Sequence, residues 1–367
     1  MRVLFFIPTL NGGGAEKVLS DLVKMLQKDK YEITVKTLFN EGIYIESIKE
    51  RCKYEYCFNT NNKFLFWLYH SFINHSHWFP RKMLWNLLIR EKFDVEIAFM
   101  EGVCTRIISG SSNKESTKIA WLHTDLESNS ESLKQFQSME ESLISYKTFD
   151  HIITVSSQSK NSFEGLYGIE ITIIPNPIDK EILINKSFEE VYCIRQRGIP
   201  TLIAIGRLEP IKGFDRLLDI HKRLIHEGYN HNLVILGEGS LFQEYQTIIK
   251  NHELTDSVRL LGFQSNPYKY LIQADVLVSS SLAEGFSLVI AEALILGIPV
   301  LATQTAGSLD ILGVENVIPN SEQALYENIK MILTDSKRLQ SMKTWAMEYA
   351  EKYDSKNIIK QIEQLLD

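Results

Sequence analysis

The sequence predicts an α/β protein made of two doubly wound parallel-sheet domains that face a cleft. Short apolar strands alternate with helical patterns along the whole chain, which is typical of βαβ units. The strands are near-continuous runs of Val, Ile and Leu, as expected where helices cover both faces of a sheet. With 367 residues, the chain is too long for one ordinary core.

Each half of the chain carries the same kind of strand series. In the first half the candidate strands are residues 3–7, 33–39, 95–100, 118–123, 151–155 and 171–174. In the second half they are residues 202–206, 233–237, 258–262, 276–280 and 299–302, with 314–318 as a further candidate. The run Pro175-Asn176-Pro177 separates the two series, and two prolines so close disfavour both helix and central strand. We therefore predict an interdomain hinge from Pro175 to about Pro200.

Composition excludes several classes of function. The net charge of −7 argues against a general nucleic-acid binder, which needs a basic surface. The four cysteines form no C-x-x-C pair and no histidine cluster joins them, so reduced thiols in a cytosolic protein are expected rather than a zinc site. The apolar N-terminal run stops at Pro8 without a cleavage pattern, which predicts a first buried strand rather than a signal peptide.

Two carboxylates, Glu284 and Glu292, flank a predicted strand-to-helix connection near the C-terminal end. Ligands of α/β proteins bind beyond the carboxyl ends of the strands, and a helix that starts near Ser287 would direct free N–H groups there, which suits phosphate. Glu292 lies too deep in that helix to be a cap, so an inward side chain needs a partner such as a hydroxyl-rich ligand. From spacing alone the alternative stands that Glu284 ends a loop and Glu292 lies on a solvated face.

Further candidate residues follow other strands. Gly12, Gly13 and Gly14 precede a helix and would let the backbone approach a ligand, although a tight turn is the alternative. The pattern is neither G-x-G-x-x-G nor a P-loop, which disfavours dinucleotide and NTPase functions. Arg207 and Lys212 would emerge at one rim and could neutralise a pyrophosphate, or else be solvated. His123 would end a first-domain strand at the cleft, the alternative being a satisfied, half-buried histidine.

The segment 63–92 differs from the rest of the chain. It carries three of the five tryptophans, Trp67, Trp78 and Trp85, interleaved with the basic residues Lys63, Arg81, Lys82, Arg90 and Lys92. Such a mixture on helical segments suits an anionic membrane interface. The alternative is that the aromatic side chains pack over the N-terminal sheet.

Together the motifs resemble the retaining glycosyltransferases of family 4. They are Gly-Gly-Gly-Ala-Glu at 12–16, His-Thr-Asp at 123–125, Pro-Asn-Pro-Ile-Asp at 175–179, Gly-Arg-Leu-x-x-x-Lys-Gly at 206–213, Gly-Glu-Gly at 237–239 and Glu-Gly-Phe-Ser-x-x-x-x-Glu-Ala at 284–293. The resemblance covers essentially the whole chain and is strongest from Thr201 to Thr303. It implies the GT-B architecture of two Rossmann-like domains: an acceptor-binding domain of residues 1–180 and a nucleotide-sugar-binding domain of residues 181–349. The final helices, from about Ser336 and including residues 350–367, would pack back onto the first domain.

The resemblance also implies roles for individual residues. Glu292 would hold the donor ribose, Arg207 and Lys212 the diphosphate, and Glu284 and His123 the donor sugar. The implied catalytic set is therefore His123, Arg207, Lys212 and Glu284; the donor-binding set adds Gly13, Gly14, Phe263, Gly285, Phe286, Ser287, Leu288 and Glu292, while Gly12 and Glu16 lie on the acceptor side. Ser287 stands where the family often has glycine, and we expect it to tune sugar contacts.

The implied reaction moves a hexose or N-acetylhexosamine from a nucleotide diphosphate, most simply UDP, to a saccharide acceptor with retention of configuration. No carboxylate is an unambiguous covalent nucleophile, which favours same-face substitution with internal return. No D-x-D motif stands at an expected strand end, which fits a metal-independent reaction. No other cofactor is expected, because the nucleotide sugar is a substrate. The implied acceptor is lipid-linked, at the cytoplasmic face of the membrane, in surface polysaccharide assembly.

Two other functions compete with transfer. A nucleotide-sugar epimerase or phosphorylase would share the architecture, but a phosphorylase is expected to be much longer and to carry a pyridoxal-phosphate lysine. A non-catalytic partner subunit would be free to lose charged residues. The joint presence of Arg207, Lys212, Glu284 and Glu292 disfavours that second alternative.

Overall fold

The computed structural model describes residues 1–59, 71, 73, 75–126, 132–191, 193–353 and 355–367. The chain divides into two compact units. The first consists of Met1–Ile178 with Ser355–Asp367, and the second of Asp179–Asp354. Each unit is an α/β layer structure around one parallel sheet, which confirms the predicted fold class.

The sheet of the first unit has the order β3-β2-β1-β4-β5-β6-β7 in the described residues, with parallel pairing throughout. Its strands are β1 (Arg2–Ile7), β2 (Glu32–Phe39), β3 (Lys53–Phe58), β4 (Val95–Ala98), β5 (Thr117–Leu122), β6 (His151–Thr154) and β7 (Thr172–Ile173). The helices among the described residues of this unit are Gly14–Met25, Ile45–Lys49, Arg81–Leu88, Val103–Ile108, Met139–Tyr146, Ser157–Tyr167 and Ser355–Leu366. The sequence did not predict β3, because this edge strand is only partly buried and lacks a continuous apolar run.

The sheet of the second unit is also parallel and has the order β10-β9-β8-β11-β12. Its strands are β8 (Thr201–Ile205), β9 (Asn232–Leu236), β10 (Val258–Leu260), β11 (Val276–Ser279) and β12 (Val300–Ala302). The helices of this unit are Lys180–Ser187, Phe214–His226, Phe242–Asn251, Tyr268–Leu271, Leu288–Ile295, Ala306–Leu312, Glu322–Thr334 and Ser336–Lys352.

One predicted strand, residues 314–318, is wrong. Val314–Asn316 forms a short 3₁₀ turn, and only Ile318 bridges to Thr303 beside β12. Val314 is 71% exposed, so it has no buried face to contribute to a sheet. The Asn316 side chain donates to the Leu312 carbonyl at 2.9 Å, which ties the segment to the preceding helix instead.

The prediction for the final helices is partly wrong. Ser336–Lys352 belongs to the second unit, where it packs against the helix Leu288–Ile295 with Ala346 and Ala350 buried one turn apart. Small side chains at that spacing allow two helices to approach closely. Only Ser355–Leu366 lies in the first unit, where the terminal Asp367 accepts a hydrogen bond from Tyr31 Oη at 3.0 Å.

The strand order reverses once in each sheet, between β1 and β4 in the first and between β8 and β11 in the second. Two neighbouring connections leave in opposite directions at such a point, which opens a crevice beyond the carboxyl ends of the strands. Each unit therefore has a place for a ligand at its own sheet edge.

A buried histidine pair in the second unit predicts loss of stability in acid. His221 Nδ1 lies 2.8 Å from His231 Nε2, and burial lowers the pKa of His221 to about 3 and the pKa of His231 below its ordinary value. In the unfolded chain the two histidines bind protons near pH 6.5, and in the folded chain they do not. The free energy of unfolding is therefore highest above about pH 6.5 and falls as the pH drops towards 3. We expect the urea midpoint to be lower at pH 5 than at pH 7.5, because the free energy of unfolding falls by an amount on the order of 1–2 kcal/mol. His221→Asn should flatten this dependence and the exposed-site control His252→Asn should not; equal slopes in both variants would contradict the prediction.

Candidate active site

The connection after β8 is held against the end of β11 by close backbone packing. Gly213 follows the 3₁₀ turn Pro210–Lys212 with φ +60°, and a Cβ placed there would lie 2.4 Å from the Ser280 carbonyl oxygen. Only glycine satisfies both conditions without strain. The Ser280 hydroxyl donates to the Lys212 carbonyl at 2.9 Å, which fixes the two connections together.

This packing brings Lys212 and Glu284 into contact. Lys212 Nζ lies 2.5 Å from Glu284 Oε1, and the two side chains are 19% and 13% exposed. The sequence predicts a phosphate contact for one residue and a sugar contact for the other, and the structure shows that they also form an ion pair. Arg207 lies exposed at the start of the same connection. A cation and a hydrogen-bond acceptor thus stand side by side at the switch point of this sheet.

The helix Leu288–Ile295 begins beside this ion pair. Its N-cap residue, Ser287, is buried, but the Ser287 side chain makes no capping hydrogen bond. The first-turn N–H groups therefore lack that partner and can bind an anion, as the sequence predicts for the segment from Gly285 to Leu288.

Gly307 packs against the backbone of this connection, a contact that the sequence did not predict. Its N–H donates to the Glu284 carbonyl at 2.8 Å, and a Cβ at Gly307 would lie 2.9 Å from both Phe286 Cα and Ser287 N. A lone glycine after β12 gives no sequence signal of such a contact, because the contact depends on the neighbouring strand.

The side chain of Glu292 points inward, which is required if this carboxylate binds a ligand. It is 4% exposed and its Oε1 accepts a hydrogen bond from Tyr268 Oη at 2.9 Å. The alternative of a solvated helix face is therefore wrong for this residue. Tyr268 could not be predicted from the sequence, because nothing in the pattern links two residues that lie on different helices. A buried, hydrogen-bonded carboxylate can still accept from hydroxyl groups of a ligand through its other lone pairs.

Phe263 follows β10 and Gly262, and its side chain is 47% exposed. An exposed aromatic ring in a connection at the carboxyl edge can stack on a planar base. Its assignment to the base of the donor stays a prediction.

In the first unit, His123 follows β5 and is buried against Phe99, with ring centroids 4.6 Å apart. Burial lowers the pKa of His123 to about 3, so the imidazole is neutral at pH 7. Its Nε2 is buried and has no hydrogen-bond partner among the described residues, which is uncommon for a buried polar atom and marks His123 as a candidate ligand contact. Its backbone N–H donates to Glu101 Oε2 at 3.0 Å, and Thr124 Oγ1 donates to the other oxygen of the same carboxylate. Glu101 positions this connection and was not predicted.

The three glycines lie in the connection after β1, at the switch point of the first sheet. Gly12 has φ +104°, and Gly13 is the N-cap of the helix Gly14–Met25 without a side-chain cap. The Glu16 carboxylate folds over Gly13, since a Cβ there would lie 2.3 Å from Glu16 Oε2. The predicted residues thus form two groups, one at the carboxyl edge of each sheet.

The segment 63–92 gives a mixed result, and Lys63 and Trp67 lie outside the described residues. Trp85 is 6% exposed and belongs to the core of the first unit, so the packing alternative holds for this tryptophan. Trp78 is 73% exposed.

Two family models match the chain. The model described as Glycosyltransferase Family 4 matches residues 12–182, and the model described as Glycosyl transferases group 1 matches residues 195–349. A Campylobacter jejuni protein named N-acetylgalactosamine-N,N'-diacetylbacillosaminyl-diphospho-undecaprenol 4-alpha-N-acetylgalactosaminyltransferase is 26% identical, and the alignment covers 96% of each chain. The amylovoran biosynthesis glycosyltransferase AmsD of Erwinia amylovora is 22% identical over 80% of this chain and 77% of its own.

Solved structures resemble the chain over its full length. The Anabaena protein HepE in complex with UDP superposes with a TM-score of 0.76 at 19% identity, covering 100% of this chain and 99% of HepE. At that identity the likeness is one of fold.

Proposed function

Because the chain belongs to the family-4 type of glycosyltransferases and has the GT-B fold, we propose that it transfers a hexose or N-acetylhexosamine from a UDP-sugar to a lipid-linked saccharide, with retention of configuration. The observation that carries the proposal is the rim of the second sheet. There the Lys212–Glu284 pair, the start of the helix Leu288–Ile295 and the buried Glu292 lie on connected segments.

Each group at this rim has a chemical task in the proposed reaction. Lys212, Arg207 and the helix N-terminus stabilise the negative charge that develops on the departing diphosphate, which needs neutralisation more than a strong acid. Glu284 accepts hydrogen bonds from sugar hydroxyls, and Glu292 accepts them from the ribose. The leaving phosphate oxygen takes the proton of the acceptor hydroxyl on the same face of the sugar, so neither a carboxylate nucleophile nor a metal is required.

The first unit completes the donor and acceptor contacts in this proposal. The neutral imidazole of His123 hydrogen-bonds the donor sugar through its unpartnered Nε2. Gly13 and Gly14 let the backbone approach the diphosphate, and Gly12 and Glu16 lie on the acceptor side.

Names of similar proteins support the choice of substrates. HepE is described in complexes with UDP and with UDP-glucose, which favours a UDP-sugar donor. The name of the Campylobacter jejuni relative contains a diphospho-undecaprenol saccharide, and that of the Erwinia relative concerns amylovoran biosynthesis. A lipid-linked acceptor in surface polysaccharide assembly fits both. The proposed location is the cytoplasmic face of the membrane; within the described residues, no helix has the length and apolar character needed to span a bilayer.

A donor screen tests the proposal. The purified protein is incubated with UDP-, GDP- and ADP-sugars, with and without a lipid-linked saccharide acceptor, and released nucleotide diphosphate and sugar products are measured. We expect UDP release to dominate and to rise with acceptor, and the new linkage to retain the donor configuration by NMR. Free epimerised sugar without acceptor would contradict transfer and support an epimerase.

A further inference from the structure

A cavity of about 500 Å³ lies in the first unit, between the helices Arg81–Leu88, Val103–Ile108 and Met139–Tyr146. Trp78, Arg81, Lys82 and Gln137 are among its lining residues. None of the residues assigned above to donor or acceptor lines this cavity. The cavity is therefore a second candidate binding site, for which the proposed transfer reaction gives no role.

A buried arginine fixes the turn that carries Trp78. Arg106 is 1% exposed and donates from Nη1 to the Ser76 carbonyl at 2.8 Å, and from Nη2 to the His77 and Phe79 carbonyls at 3.1 and 2.9 Å. Three carbonyls of one turn are thus held by one guanidinium. The Trp78 indole is nevertheless 73% exposed, so a rigid turn presents a large aromatic ring to its surroundings.

The charges around the cavity leave an excess of cations. Among the described residues that line it, Glu141 is the one carboxylate, and its two oxygens already accept from Arg106 Nε at 3.0 Å and from the Gln137 backbone N–H at 2.5 Å. Arg81 Nη1 donates to two serine hydroxyls, and Arg81 Nε lies 4.0 Å from Glu141 Oε1, so Arg81 shares this one carboxylate with Arg106. Lys82 is exposed and makes no ion pair with any described residue. The cations Arg81, Lys82 and Arg106 thus outnumber the single carboxylate, although the chain as a whole has a net charge of −7. This local excess of positive charge favours an anionic ligand.

The helix Arg81–Leu88, whose first two residues line the cavity, also carries exposed apolar side chains. Met83 and Leu87, four positions apart and hence on one helix face, are 52% and 48% exposed, while Leu84 and Leu88 are buried in the core of the unit. Apolar and aromatic side chains next to cations are the composition of a surface that enters the headgroup region of an anionic bilayer.

We propose that this cavity binds the phosphate group of a lipid headgroup, with Arg81 and Lys82 as phosphate ligands, while Trp78, Met83 and Leu87 enter the membrane interface. The inference rests on the membrane-face location proposed above and assigns it to particular residues. It places lipid recognition in the first unit, on residues other than those proposed to bind the donor or the acceptor.

Vesicle co-sedimentation of the full chain tests the proposal. Vesicles of phosphatidylcholine alone are compared with vesicles that contain roughly one-third phosphatidylglycerol. We expect binding only to the anionic vesicles, and a loss of about tenfold in each of Trp78→Ala and Lys82→Glu. Matched controls are Phe188→Ala, since Phe188 is 76% exposed, and Lys114→Glu, since Lys114 is exposed on the first unit outside the cavity. Both controls should bind like the wild type.

Binding of free phosphate compounds and UDP release distinguish lipid binding from binding of a free phosphate ion. Glycerol phosphate and inorganic pyrophosphate report binding of free phosphate; binding of these ions without binding to anionic vesicles would overturn the lipid assignment. Wild-type vesicle binding by both Trp78→Ala and Lys82→Glu would also overturn it. UDP release from the donor in the absence of vesicles should be unchanged in both variants. A chain that shows no transfer but binds vesicles through Trp78 and Lys82 would contradict the proposed function and leave this inference standing.

Discussion

Lys212→Ala is expected to lower kcat for sugar transfer by about a hundredfold or more. The substitution removes a cation at the departing diphosphate, where charge develops in the transition state. It also leaves Glu284, only 13% exposed, without the ammonium group that now lies 2.5 Å from its Oε1. Glu284→Ala is expected to lower transfer strongly as well, because it removes the acceptor of the sugar hydroxyl groups. Rates of transfer are measured at saturating UDP-sugar, with Lys250→Ala and Glu244→Ala as exposed controls on one helix of the same unit.

The double variant Lys212→Met/Glu284→Gln separates a structural ion pair from a catalytic one. If the pair only stabilises the connection between β8 and β11, then removing both charges should restore activity as well as thermal stability. In a catalytic pair the thermal midpoint recovers while transfer stays low. Near-normal rates in both single variants would overturn the assignment of this rim.

Glu292→Gln is expected to raise the KM for the donor by about 10- to 100-fold, with a smaller effect on kcat. A carboxylate that accepts hydrogen bonds from two ribose hydroxyls contributes about 1.5–3 kcal/mol per charge-assisted bond, and an amide accepts more weakly. The ribose does not change during the reaction, so the contact acts equally in the ground and transition states and is seen in KM. Steady-state kinetics with varied UDP-sugar provides the measurement.

Tyr268→Phe provides the graded companion to this variant. It removes the hydroxyl that donates to Glu292 Oε1 at 2.9 Å and leaves the carboxylate in place. We expect a smaller rise in the KM, about 3- to 10-fold, because the carboxylate loses orientation rather than charge. Equal KM values for the wild type and Glu292→Gln would show that Glu292 does not bind the donor.

Much of the second unit could be predicted from the sequence for one physical reason. Strands in a doubly covered parallel sheet are continuous apolar runs, and the residues that follow them must lie at one sheet edge. The location of Arg207, Lys212, Glu284 and Ser287 follows from that rule alone. The edge strand β3 is only partly buried and therefore lacks a continuous apolar run. The segment 314–318 was mistaken for a strand because apolar residues stand at its two ends.

The sequence by itself determined the α/β class, the two parallel sheets and the residue types at their edges, because hydrophobic periodicity and turn chemistry are local properties. Only the tertiary structure decided that Lys212 pairs with Glu284, that Tyr268 holds Glu292, that Glu101 supports His123 and that Gly307 lies behind the loop at Phe286. These contacts join segments that are distant in sequence, and their geometry depends on strand order and helix packing. For the same reason the helix Ser336–Lys352 joined the second unit: it packs against the helix Leu288–Ile295, a contact between segments distant in sequence that no local pattern encodes.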